Sequence, residues 1–155
     1  MTTHARATAF LDTLIGDWTF TLTTADSSDC PGFRSTGTES VRTLGPGVLI
    51  ESNSVGAYGT PSRSASLICN DIQNGRISAA ILSTGIDTLF QAAGSISDDG
   101  RTMILETEGP AMTPGNETDR YRDIYAVEAD GTRYTAAEVL DPDGTWREFM
   151  RTTYA

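Results

Sequence analysis

The residues that could do chemistry in this chain are few, and their types exclude more than they allow. All eleven strongly basic side chains are Arg and none is Lys. That rules out Schiff-base chemistry, a lysine-held pyridoxal and a phosphate-binding P-loop, each of which needs an amine. The one histidine, His4, stands near the start, so a histidine-centred triad or a multi-histidine zinc site is excluded too. Serines are plentiful, but no base is placed to activate one. Carboxylates remain: Glu39, Glu51, Asp123 and Glu138 fall in strand-like runs, where burial would raise a pKa toward neutrality. No glycine-rich phosphate loop and no metal-ligand cluster occurs, so no cofactor and no metal is expected.

The densest grouping lies in the last third. Two turns of one kind, Ala129-Asp130-Gly131 and Pro142-Asp143-Gly144, join three runs rich in aromatic and β-branched residues. Each places Gly where a type I turn passes into a left-handed residue, which is a hairpin signal. Three-residue loops would pair Glu128 with Thr132 and Asp141 with Thr145. Two-residue loops would shift the middle strand by one and leave the outer strands in phase. Either way Tyr121, Asp123, Tyr125 and Val127 should share a face with Arg147, Phe149 and Arg151. Arg120, Arg122, Ile124 and Ala126 should share the other with Trp146, Glu148, Met150 and Tyr154.

The first face suits an interior that grips a polar-headed ligand, since guanidinium pairs bidentately with carboxylate. Phe90, Tyr121, Tyr125 and Phe149 would form apolar walls, with Asp123, Arg147 and Arg151 as polar anchors. Two alternatives stay open. The arginines could lie on a solvated exterior, or one could stack on Trp18 at a closed end of the fold.

The elements that must position these groups follow one grammar. Phe10, Leu11 and Leu14 mark the only helical pattern, over Ala5 to Leu14. Trp18, Phe20 and Leu22 alternate with threonines in a first strand. Further strands follow near Ser35–Thr43, Val48–Val55, Arg63–Cys69, Arg76–Ser83, Thr88–Ser95 and Thr102–Glu108, punctuated by turn clusters such as Asn74-Gly75. With the C-terminal three, this makes about ten short strands without crossover helices. The expected fold is all-β: an up-and-down antiparallel barrel closed on itself, with one short N-terminal helix, forming a single domain over residues 1–155. Closure removes sheet edges, and a bore of this size leaves room for a ligand.

A net charge of −10 argues against binding nucleic acid or an anionic membrane by attraction. No run approaches the roughly 20 apolar residues of a membrane span, and the N-terminus lacks the apolar core of a signal peptide. A cytoplasmic location is expected. Cys30 and Cys69 are far apart, and nothing in their spacing indicates a pairing. The expected partner is a small apolar or amphipathic molecule; monomer and homodimer are both open.

Gly16-Asp17-Trp18 resembles the Gly-x-Trp signature that opens the first strand of lipocalins and fatty-acid-binding proteins. A closer resemblance, to the bacterial family of domain of unknown function 1579, spans most of the chain. It is carried by Leu14-Ile15-Gly16-Asp17-Trp18, Gly37 to Arg42, Leu105 to Pro110, Tyr121-Arg122-Asp123 and Asp143 to Met150. That family is placed with the calycin barrels, which implies a calycin-like fold and no settled activity. The chain departs from the family pattern at Thr8 and Arg147, where relatives often carry His, and at Cys69-Asn70-Asp71, where they carry Gly-Tyr-Asp.

Function is therefore expected to be non-covalent binding of a partly apolar, even anionic, ligand inside the barrel. The alternatives are a cofactor-free cyclase or isomerase working by cavity shape and one carboxylate, and an interaction module with a filled core.

Overall fold

A computed structural model describes residues 2–27, 31–56 and 59–155. Helix α1 (Thr3–Leu14) starts two residues before the expected Ala5, because Thr2 is its N-cap and accepts the Ala5 N–H at 3.2 Å. Ala7, Phe10, Leu11 and Leu14 are its buried residues and recur at helical spacing. Twelve residues are too few to be stably helical in isolation. Tertiary packing holds the helix: Phe10 and Leu14 sit in one cluster with Val41, Ile68, Met103 and Leu105.

Ten strands follow: β1 (Gly16–Thr24), β2 (Arg34–Leu44), β3 (Gly47–Val55), β4 (Pro61–Asp71), β5 (Arg76–Ser83), β6 (Phe90–Ile96), β7 (Thr102–Pro110), β8 (Thr118–Val127), β9 (Arg133–Leu140) and β10 (Trp146–Tyr154). Each pairs antiparallel with its neighbours in sequence, and β1 meets β10, so the sheet closes as the expected up-and-down barrel. Backbone bonds Thr19 N–H to Ala155 O (3.0 Å) and Ala155 N–H to Thr19 O (2.9 Å) finish that seam. Gly94 permits close approach of β6 to β7; a Cβ there would lie 1.7 Å from the Ile104 carbonyl oxygen.

The helix closes one end. It is pinned by Asn70 of β4, whose Nδ2 donates to the His4 carbonyl (3.1 Å) and to Thr8 Oγ1 (3.2 Å). Cys69, beside it, is half-buried; Cys30 lies outside the described residues. The other end carries the β5–β6 loop (84–89) and the β7–β8 loop (111–117). Asp119, 4% exposed, ties down the latter by accepting from the N–H groups of Met112 (2.9 Å) and Thr113 (2.7 Å) and from Asn116 Nδ2 (2.7 Å). Burial works against its ionised form, but these donors, Asn116 foremost, hold its carboxyl below the usual range.

Both C-terminal hairpins use three-residue loops. Glu128 N–H bonds Thr132 O (2.8 Å) and Asp141 N–H bonds Thr145 O (2.8 Å), with Gly131 and Gly144 at φ 85°. The phase expected between β8 and β10 nevertheless breaks. A β-bulge lies between Glu148 and Met150, which pair with Glu138 and Ala137 while Phe149 is the extra residue. One extra residue swaps faces for everything beyond it. Thr152 and Tyr154 therefore turn inward, and Arg151 points outward.

Candidate ligand cavity

The barrel encloses a cavity of about 730 Å³. Aromatic residues form its mouth. Tyr121 stands between Phe90 and Phe149, with ring centroids 6.4 and 6.1 Å away and edge-to-face angles of 83° and 76°. The Tyr121 hydroxyl donates to the Pro110 carbonyl, which orients the ring. The wall made by β3, β4 and β5 is polar: Ser52, Ser54, Ser62, Ser64, Ser66 and Ser83 line it. Ser54, Ser62, Ser64 and Ser66 make no side-chain hydrogen bond among the described residues, so their hydroxyls are free to meet an occupant.

At the floor, towards α1, lies a buried ion pair. Arg133 Nη2 donates to Glu39 Oε1 at 2.5 Å, and the two residues are 2% and 6% exposed. Glu39 Oε2 accepts from Ser52 Oγ (2.9 Å) and Tyr154 OH (3.1 Å). The Arg133 guanidinium lies 3.9 Å from the Tyr154 ring centroid and 5.2 Å from that of Trp18. Its Nε and Nη1 have no hydrogen-bond partner among the described residues, and these aromatic faces supply part of the missing stabilisation. Trp18 is fixed in turn by donating from Nε1 to the Leu14 carbonyl (2.9 Å) at the helix end.

Midway down β8, between Tyr121 at the mouth and Tyr125 nearer the floor, Asp123 projects into the cavity. By ring order β8 stands opposite β3, so this carboxyl faces the serine wall. It has no hydrogen bond and no ion pair among the described residues. Burial alone pushes its pKa up from 3.8 to about 6. Burial also drives the Tyr125 phenol well above its ordinary range, with the Asp123 charge adding to the effect. Burial, then the Glu39 charge, does the same to Tyr154.

Of the residues expected to line an interior, Phe90, Tyr121, Asp123, Tyr125 and Phe149 do line it. Arg147 and Arg151 do not. Arg147 is exposed at the open end and pairs with Asp141 (2.9 Å). Beyond the bulge, Arg151 lies outside, pairing with Glu148 (2.6 Å) and covering the Tyr134 ring at 4.4 Å. The partner of Trp18 is thus Arg133, not either of those two. Met150 and Tyr154, assigned by phase to the outer face, also line the cavity. Of the other strand carboxylates, Glu51 is exposed, and Glu138 is outside, bonded to Arg122, which stacks on Trp146 at 4.5 Å. A signal for the bulge existed in the adjacent apolar pair Phe149-Met150, which an alternating strand would split between faces.

A family model described as protein of unknown function (DUF1579) matches residues 3–155. The chain belongs to the DUF1579 family. This DUF1579 barrel is also similar to a solved structure titled "Crystal Structure of Rv2717c from M. tuberculosis". The two share 13% identity at a TM-score of 0.67, over 99% of this chain and 97% of that one, a likeness of fold alone. No curated protein matches the chain. Among the described residues of this DUF1579 barrel, no helix is long and apolar enough to cross a membrane.

Proposed function

We propose that the protein binds a small, partly apolar molecule inside its barrel. The observation that carries this reading is the cavity itself. Its volume of about 730 Å³ lies within the range of roughly 300–1,000 Å³ used for small ligands. Its lining combines apolar and aromatic side chains with several polar groups, among them Asp123, Ser54, Ser62, Ser64 and Ser66, that have no side-chain partner among the described residues. A filled core would have spent those positions on large side chains. The calycin-like resemblance of Gly16-Asp17-Trp18 agrees with the proposal. Phe90, Tyr121, Tyr125 and Phe149 supply apolar contact, and Asp123 supplies a polar anchor. The anionic head considered from sequence depended on Arg147 and Arg151 lying inside, so it drops out.

Binding of the neutral fluorophore N-phenyl-1-naphthylamine provides the test. Its emission should rise on mixing with the protein. Ser64→Trp, which places an indole in the cavity, should abolish the rise without lowering the unfolding temperature by more than a few degrees. Equal enhancement by both proteins, or none by either, contradicts the proposal. A second reading, cofactor-free catalysis, is favoured only by Asp123, whose pKa of about 6 suits proton transfer near neutrality. Native mass spectrometry of the purified protein separates the two: a binder retains one compound unchanged, and an enzyme converts it.

A further inference from the structure

Charge around the cavity is one-sided. Its lining includes the carboxylates of Glu39, Asp87 and Asp123, and no Lys, Arg or His. Glu39 is answered by Arg133, which sits behind the floor rather than in the lining. Asp87 is exposed at the rim, in the β5–β6 loop. Asp123 is left as an interior carboxylate with no cation and no hydrogen-bond donor among the described residues. Its register neighbours, Leu105 on β7 and Ala137 on β9, are apolar. An ionised carboxylate that is only partly exposed, on a cavity wall and without a partner, loses solvation that nothing in the protein replaces. A protein that keeps one in a cavity has a site whose electrostatics are completed by whatever enters. The rim acid and the net charge of −10 work in the same direction, raising the local concentration of cations and repelling anions.

From this geometry we infer that the ligand is a cationic amphiphile, an ammonium or similar N–H-bearing head on an apolar body, with its head seated on Asp123. The inference rests on the cavity-binding reading above and adds the chemical class of the ligand. The head would meet Asp123 at mid-depth, below the aromatic mouth. The body would extend to the mouth between Phe90, Tyr121 and Phe149. An anionic head at the same depth would face Asp123 with no cation in reach.

Three probes sharing one chain isolate the head group: decylamine, decan-1-ol and decanoate, titrated calorimetrically into the full-length protein below their micelle concentrations. At about pH 8, decylammonium should bind about ten- to a hundredfold more tightly than decanol, the range for a charge-assisted bond. Decanoate should bind most weakly. Asp123→Asn keeps the shape and removes the charge, so it should bring decylammonium to within about threefold of decanol while decanol itself is unchanged. Glu51→Gln, exposed on β3 and outside the cavity lining, should alter decylammonium binding by less than about threefold.

Lowering the pH supplies an independent measurement. The preference for decylammonium should shrink as Asp123 takes up its proton near pH 6, while an alkylammonium stays charged. The other groups facing this carboxyl are the Tyr121 and Tyr125 phenols, both held above their ordinary range, and the Glu39–Arg133–Tyr154 cluster at the floor. Asp123→Asn should therefore flatten the profile. Equal binding of all three probes, a preference for decanoate, or a decylammonium affinity indifferent to Asp123→Asn overturns the inference while leaving cavity binding in place. If none of the three binds, the cavity-binding reading falls with it.

Discussion

Removing Arg133 tests whether the floor of the cavity is held by electrostatics or by packing alone. In Arg133→Met the replacement keeps an unbranched stem against the rings of Tyr154 and Trp18, but the Glu39 carboxylate loses its counter-ion. Two charges about 4 Å apart attract by about 4 kcal/mol at an effective dielectric of 20. Glu39 would retain only the hydroxyls of Ser52 and Tyr154. Breaking a buried pair by removing one partner costs about 3–5 kcal/mol. Those two remaining donors place the expected loss near the lower end. Urea unfolding followed by circular dichroism avoids the changed surroundings of Trp18. With a slope of about 2 kcal/mol per molar urea, the midpoint should fall by about 1.5–2 M. Adding Glu39→Gln should recover about 2 kcal/mol, because the uncompensated charge is then gone. A single-variant loss below about 1 kcal/mol, or a double variant as unstable as the sum of the singles, would refute the reasoning.

Other perturbations have opposite or null signs. Asp123 binds its proton more tightly in the folded state than unfolded, so it lowers stability as pH rises from about 4 through about 6. Asp123→Asn should therefore stabilise the protein at about pH 8 by up to about 3 kcal/mol, a gain that vanishes below about pH 4; thermal unfolding across pH would show a flat difference if the carboxyl is solvated. Arg147→Met and Arg151→Met, each removing one exposed ion pair, should change stability by less than about 1 kcal/mol and leave naphthylamine binding intact; loss of the probe in either would place that guanidinium inside. Gly94→Ala should prevent β6 and β7 from pairing at that point. Its unfolding midpoint should drop sharply, and near-native stability would contradict the close approach.

The architecture was legible because it is written in local signals that agree with one another. Turn glycines, two-residue alternation and a single helical face each pointed to a meander, and no proline interrupted a strand. The site was legible only as far as that alternation runs unbroken. Along β8 it does, and Tyr121, Asp123 and Tyr125 face inward as expected. Along β10 one bulged residue reverses it, so Arg151 and Tyr154 exchange places relative to expectation. Arg133 escaped notice because an arginine beside a turn ordinarily faces solvent, and its burial depends on Glu39, 94 residues away. Thr8 and Asn70, 62 residues apart in sequence, are hydrogen-bond partners across the closed end, a contact no local pattern announces.

The seam between β1 and β10 also sets an order of events. Every other strand pairing joins segments adjacent in sequence, whereas Thr19 and Ala155 meet across a separation of 136 residues. Closing so long a loop requires its entropy to be overcome before any ladder bond forms there, which makes it the natural late step of folding. Until then the chain is a curled open sheet with β1 and β10 as unprotected edges, a form prone to pairing with other chains. The Arg133–Glu39 contact spans the same gap: its two residues lie on β9 and β2, one strand to either side of the seam strands. It can form only as the ring shuts. A molecule occupying the finished interior would then bind the closed state alone and act as a latch on the seam, slowing opening as well as stabilising the barrel.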